Sequence, residues 1–214
     1  MYKQQSRRPW LTAFQMTLGA LYVAMFALAG NVPILSSIQI IPGVPITLQV
    51  FLVTMMGLTL GARGGFAAYL SVLVLTFCGL PMMAGGKGGP AVFFGPTGGY
   101  ILGWAFIVLL LGWYSGRYME RLVVRRFKGV SIHLPVSFAL GMAGVLLDYV
   151  CGSALLAVTS GQPVAAFPGL LLSNLAFLPG DAVKIGLASL LSLALFAKPV
   201  FVRLFRVQDM HPHI

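Results

Sequence analysis

The stretch Phe177-Leu178-Pro179-Gly180-Asp181-Ala182-Val183-Lys184 stands at the front of the last long apolar run, residues 182–197. Asp181 and Lys184 are three residues apart. If Pro179 and Gly180 open a helix, both side chains fall on one face of its first turns. A lone Asp or Lys at the centre of a bilayer helix costs roughly 2.5–3.5 kcal/mol. A pair at 4 Å recovers about 4 kcal/mol at an effective dielectric near 20. Two readings follow. The pair can be a structural lock for a helix bundle, or a polar hook for a small ligand.

The setting of that pair decides the fold class. The chain has 214 residues, of which 58% are hydrophobic and 8% charged, and its mean hydropathy is +0.93. A soluble domain carries about 25% charged residues. This composition belongs to an integral membrane protein, where only helices or a closed barrel satisfy the backbone. The apolar runs are long and do not alternate, which selects helices. The chain reads as one all-α membrane domain, residues 1–214, with six transmembrane helices near 11–30, 45–61, 66–80, 100–116, 134–158 and 169–197. The last of these is either one long helix or a short helix, a break at Pro179-Gly180, and then the span. The first run has a signal-peptide look, with Ala27-Leu28-Ala29 as a cleavage site, but it is longer than an ordinary h-region.

Charge placement gives the orientation. The net charge is +10, and every Lys and Arg except Lys87 and Lys184 falls at the N-terminus, at Arg63, in residues 117–128 or at the C-terminus. With both termini cytoplasmic, all of these lie inside, as the positive-inside rule requires. Such placement beside apolar runs points to anionic lipid head groups, not to nucleic acid. Trp113, Tyr114 and Tyr118 suit an aromatic belt at that face. The glycine-rich residues 81–99, the connection 159–168 and the start of the last span then come to the extracellular side. Lys87, Asp181 and Lys184 can converge there in a ligand pocket.

Several groups could serve that pocket. Ala84-Gly85-Gly86-Lys87-Gly88-Gly89-Pro90 is built for close backbone approach, and successive amides in such turns can hold an anion. Tolerance for turns explains the same glycines. It is not a phosphate loop, because Gly88 follows Lys87 where Ser or Thr is required. Gln49, after Thr47 at the opening of the second span, is either a ligand contact or a helix–helix hydrogen bond. Asp148 inside the fifth span is an intramembrane acid and so a candidate by default. Ala20 and Ala24 form a small-xxx-small pair that permits close helix approach. No catalytic set, metal spacing or cofactor motif appears, and four acidic residues leave little for carboxylate chemistry. Cys78 and Cys151 read as packing residues. A membrane enzyme is therefore disfavoured. A carrier or facilitator for a small amphipathic anion stays open, and active transport would need energy from another subunit or an ion gradient.

Three motifs in order carry a resemblance: Val44-Pro45-Ile46-Thr47-Leu48-Gln49, Gly95-Pro96-Thr97-Gly98-Gly99-Tyr100 and Leu178-Pro179-Gly180-Asp181-Ala182-Val183-Lys184. On six apolar spans they resemble the BioY family, the biotin-specific substrate-binding components of energy-coupling factor transporters. The resemblance covers nearly the whole chain from the first span to Ala197. It implies a prokaryotic multi-pass protein of the cell membrane that binds biotin with high affinity from outside. Energy would come from a transmembrane coupling protein and two ATPase subunits, with no cofactor and no catalysis of its own.

The resemblance also implies site roles. Asp181 and Lys184 match the acidic and basic ligand-contact positions of the last-helix motif. The glycine run with Gly86 and Gly88 matches the loop that closes on biotin, where the family often carries other polar residues in place of Lys87. Ala20 and Ala24 are similar to the alanine pair that docks onto the coupling subunit. On that reading Asp181 accepts a ureido N–H and Lys184 holds it ionised. Lys87 and the loop amides meet the ligand carboxylate, and Phe94 and Tyr100 pack on the ring or chain.

Overall fold

A computed structural model describes residues 12–32, 38–41, 44–125, 130–198 and 201. Among them, five helices are long and apolar enough to cross a membrane. The first, α1 (Ala13–Asn31), starts at Thr12, whose hydroxyl accepts from the Gln15 amide at 3.3 Å while Gln15 Oε1 accepts from the Thr12 amide at 3.2 Å. This reciprocal cap satisfies two N-terminal donors. Gly19, Tyr22, Phe26, Ala29 and Gly30 form the buried stripe of α1, and Met16, Leu21 and Leu28 point outward.

Two short strands follow, β1 (Ile38–Ile41) and β2 (Val44–Ile46), paired antiparallel with Ile38 opposite Ile46. This hairpin modifies the expectation of a wholly helical chain. Isoleucine-rich segments flanking Pro42-Gly43 favour extended pairing over helix.

The helix α2 (Gln49–Phe77) contains Gly61 at φ 71°, ψ −178°. A straight helix of its 29 residues would be about 43 Å long. Yet Gln49 Nε2 donates to the Met82 carbonyl at 2.9 Å, just beyond the far end. A Cβ on Gly65 would meet the Met56 carbonyl oxygen at 2.7 Å. The element is therefore two antiparallel helices joined at Gly61, in a left-handed conformation that disfavours side chains. The expected spans 45–61 and 66–80 both fall within or beside this hairpin.

After the loop comes the short α3 (Ala91–Phe94), then α4 (Gly98–Arg125) and α5 (Val130–Thr159). The last two pack antiparallel at close range. Positions on α4 four apart meet positions on α5 four apart. A Cβ on Gly99 would lie 2.5 Å from the Cys151 carbonyl oxygen, one on Gly103 would meet Asp148, and one on Gly144 would sit 2.9 Å from Ile107 Cα. Small residues at such spacing let helices approach where no hydrophobic effect drives them together. Next come a 3₁₀ turn at Val164–Ala166, α6 (Phe167–Ser173), a second 3₁₀ turn at Asn174–Ala176, and α7 (Leu178–Phe196). The chain breaks at the 3₁₀ turn, ahead of Pro179, which occupies the first turn of α7, where its missing N–H costs nothing.

The core is one cluster around Phe26, Val53, Met56, Leu58, Tyr69, Ile107, Leu111 and Ile185. Exposed Leu, Val and Phe side chains cover the outer faces of the bundle, including Leu102, Leu146, Leu187 and Leu190. In lipid these faces are at home. The ends of the bundle differ. At one end Ser115 hydrogen-bonds the Leu58 carbonyl, Gly112 packs on Gly61 and Ala62, and buried His133 contacts Ser192 at 3.0 Å and Tyr114 at 3.2 Å. Arg63 and Arg117 belong to this end, and the Arg117 guanidinium lies 4.2 Å from the Trp113 ring centroid. Lys3, Arg7, Arg8, Arg126, Lys128, Arg203 and Arg206 lie outside the described residues. At the other end the loop after α2, the start of α4, the end of α5 and the start of α7 come together.

Candidate functional site

The glycine-rich loop is built around a tight reversal. Met83 and Lys87 exchange backbone hydrogen bonds at 2.9 and 3.2 Å, and Gly85 and Gly86 between them hold φ of 75° and 70°. Consecutive left-handed residues of this kind favour glycine. The amides of Gly85 and Gly86 both donate to the Gly30 carbonyl, at 2.9 and 3.2 Å. Asn31 Nδ2 reaches the Pro81 carbonyl at 2.5 Å. The loop is thus tied to the end of α1. The expectation that its amides meet an anion is corrected for Gly86, whose N–H is already used within the chain. Gly88 passes so close to the Gly79 carbonyl oxygen that a Cβ would meet it at 2.8 Å, which makes it a packing glycine.

Behind the loop lies a cleft of about 460 Å³, part of it open to solvent. Thr47, Gln49, Met83, Lys87, Thr97, Tyr100, Ile101 and Trp104 line it. Four of these present polar groups without charge, one presents an ammonium, and three present apolar surface. Such a wall fits an amphipathic ligand with an anionic end. Gln49 is 2% exposed, its amide nitrogen on the Met82 carbonyl. Trp104 stacks edge-on against Phe26 with centroids 5.7 Å apart. Phe94 is 74% exposed and does not line the cleft, because α3 turns it outward while its neighbour Phe93 packs on the Phe77 ring at 6.1 Å.

Tyr100 connects the cleft to a second layer. Its hydroxyl donates to Asn174 Oδ1 at 2.8 Å, and Asn174 Nδ2 donates to Ser153 Oγ at 2.7 Å and to the Leu170 carbonyl at 3.1 Å. Asn174 is fully buried, so this network pins the 3₁₀ turn before α7 to α4 and α5. In the first turn of α7, Lys184 Nζ lies 2.8 Å from Asp181 Oδ1, and the Tyr149 hydroxyl donates to Asp181 Oδ2 at 2.7 Å. Asp148, on the neighbouring face of α5, is 3% exposed and sits against Gly103.

The structure therefore brings Gln49, Lys87 and Tyr100 into one cleft, with Asp181, Lys184 and Asp148 in the adjoining wall and not on its lining. Ala20 and Ala24 do not line the cleft and are exposed on α1. Sequence reasoning missed Asn174, Tyr149 and Trp104. A single amide in the apolar run from Phe167 was the available signal for the first, since polar groups in such runs need partners. Among the described residues no group of three His, Cys, Asp or Glu could hold a metal ion.

Comparison with known proteins decides what this arrangement belongs to. Residues 3–198 match the family model described as the BioY family. The chain belongs to the BioY family. A biotin transporter BioY from Rhizobium etli is 37% identical over 84% of this chain and 91% of its own length. A BioY biotin transporter from Rhodobacter capsulatus is 33% identical over 83% and 90% respectively. A crystal structure of the S-component for biotin from an ECF-type ABC transporter matches with a TM-score of 0.72 and 30% identity, covering 96% of this chain and all of that one. BioY membership and the apolar helices make this a multi-pass membrane protein, and the fold that holds the cleft is the BioY fold.

Proposed function

We propose that the chain is the biotin-binding subunit of a vitamin uptake transporter, taking its ligand from the extracellular side of a prokaryotic plasma membrane. It is a transport subunit, not an enzyme. The observation that carries this reading is the cleft at the end of the bundle away from the arginines. Lys87 suits the ligand carboxylate. Trp104, Ile101 and Met83 suit its apolar middle. Gln49, Thr47 and Thr97 suit the two N–H donors and the carbonyl of the ureido ring. Asp181 already holds Lys184 and Tyr149, and a carboxylate has lone pairs for one more donor. On closure of the cleft around a ligand it would accept a ureido N–H.

The reversal at Gly61 supports six membrane passes in place of five. Six passes put both termini on the side of Arg63 and Arg117, and the positive-inside rule makes that side cytoplasmic. The exposed alanines of α1 leave a shallow strip where a coupling membrane protein could dock, with two ATPase subunits behind it. Biotin titration of the purified chain by calorimetry, with mass spectrometry of any bound ligand, is the test. Micromolar or tighter binding supports the reading; indifference to biotin overturns it. Cys78 is exposed at the cleft end of α2. A membrane-impermeant maleimide should label it on intact cells, and labelling only after lysis would reverse the orientation. Biotin uptake by this chain alone in liposomes would favour a self-sufficient carrier.

A further inference from the structure

One buried acid stands outside the contacts that hold the site together. Asp148 is 3% exposed, and its Oδ1 has no hydrogen-bond partner among the described residues. It is tightly fixed, because a Cβ on Gly103 would lie 2.9 Å from Asp148 Cα and would run into Oδ1. The titratable groups around it come from four helices. Tyr69 faces it from α2 and Tyr100 from α4, with Tyr149 and Cys151 on α5 itself and Asp181 from α7. Asp181 brings Lys184, and α6 carries no titratable side chain.

The charges of this cluster do not cancel if both acids ionise. Two carboxyls share one ammonium, and that ammonium is bound to Asp181. The hydroxyl of Tyr149 is also given to Asp181, that of Tyr100 to Asn174, and that of Tyr69 to the Ile101 carbonyl. None of the three phenols is left to donate to Asp148. A buried carboxylate oxygen without a donor favours the neutral acid over the charged form.

We propose that Asp148 is a proton-binding site in the wall behind the cleft, and that capture of an anionic ligand requires the proton to be in place. The linkage to capture rests on the biotin reading above; the proton site does not. With Asp148 neutral, Asp181 and Lys184 balance and the cleft keeps the net positive charge of Lys87. With Asp148 ionised, a second negative charge sits beside Asp181, against the ligand carboxylate. Apparent affinity then follows the protonated fraction, so it is present at low pH and falls tenfold per pH unit once Asp148 has lost its proton.

Two measurements on the purified full chain test this. Infrared spectra of the wild type at neutral pH should show the carbonyl stretch of a protonated carboxylic acid, absent in Asp148→Asn. With four acidic residues in the chain the assignment is tractable. A wild-type spectrum without the band, or a band that survives Asp148→Asn, overturns the proton site. Biotin titrations from neutral to alkaline pH should show the tenfold-per-unit loss in the wild type and a flat ratio in Asp148→Asn. The same loss in both proteins would assign it to Lys or Tyr and overturn the linkage. A wild type that carries the band but ignores biotin would overturn the ligand reading and leave the proton site standing.

Discussion

Replacing Lys184 by Met should unbalance the last helix, and the size of the effect separates the two readings of its ion pair. The ammonium lies 2.8 Å from Asp181 Oδ1, with the two side chains 13% and 8% exposed. At that separation the attraction is about 6 kcal/mol for an effective dielectric near 20, and exposure this low leaves little solvent screening. Desolvation consumes much of it, so the net worth of the pair is far smaller. Removing one partner is different: it leaves Asp181 buried with only the Tyr149 hydroxyl, and this class of change costs roughly 3–5 kcal/mol. Asp181→Asn alone leaves Lys184 beside a neutral amide and should cost less, because the lysine stem can carry its charge outward. The double variant Asp181→Asn/Lys184→Met should recover part of the Lys184→Met loss. Denaturant titration in detergent over this cycle reads the coupling, expected at about 1–3 kcal/mol. Additive single effects would refute the pair as a structural element. Biotin binding measured on the same four proteins decides the other half. Unchanged affinity in both single variants would leave a lock for the bundle and no hook for the ligand.

Other perturbations reach other parts of the design. Gly61→Ala puts a side chain at φ 71° and should cost roughly 1–3 kcal/mol in the same denaturant assay, while loss-free substitution would argue against the hairpin. Asn174→Ala orphans the Tyr100 hydroxyl and Ser153, which should cost about 1–3 kcal/mol. It should also weaken biotin binding more than tenfold, because Tyr100 then loses the contact that fixes its ring in the cleft wall; unchanged affinity would remove Tyr100 from the site. Ala24→Leu, on an exposed face of α1, should shift stability by less than about 0.5 kcal/mol. The same variant should still bind biotin yet lose co-purification with a coupling subunit.

How much of this was legible in the chain depends on which residues are scarce. Charged residues make up 8% of the sequence, so each one marks a place. The arginines marked one face of the bundle, and the i, i+3 spacing of Asp181 and Lys184 marked a helix turn that the structure closes at 2.8 Å. Gly61, Gly64 and Gly65 lie together between the expected second and third spans, and so many glycines at one point weaken a straight helix. Aromatic and aliphatic residues carry no such mark. A helix in lipid is apolar on its packed face and on its outer face alike, so the period that reveals a buried stripe in a soluble helix is lost. Trp104, which lines the cleft, stands inside an apolar run with nothing beside it to single it out. Phe93 and Phe94 are adjacent, and only the turn of α3 decides that the first packs inward and the second does not.

The polar residues that were missed or left without a role share a different cause: each depends on a partner helix whose register no local pattern sets. Asn174 is meaningful because Tyr100 and Ser153 arrive at its two ends from α4 and α5. Tyr149 is meaningful because Asp181 faces it across to α7. Asp148 is enclosed because α4 presents a glycine at Gly103 in the one place where a side chain would fill the same space. The antiparallel alignment of α4 on α5, which pairs Gly99 with Gly152 and Gly103 with Asp148, sets the places of Tyr100 and Asp148, while the Tyr149–Asp181 contact is set by α7. With that alignment Tyr100 lies over Gly152, where a Cβ would collide with its ring, and its hydroxyl reaches Asn174 in the 3₁₀ turn. A slip of one helical turn that carried Ile107 to the place of Gly103 would bury a larger residue against Asp148. The glycines on these helices therefore position the ligand site as firmly as the polar residues that face it.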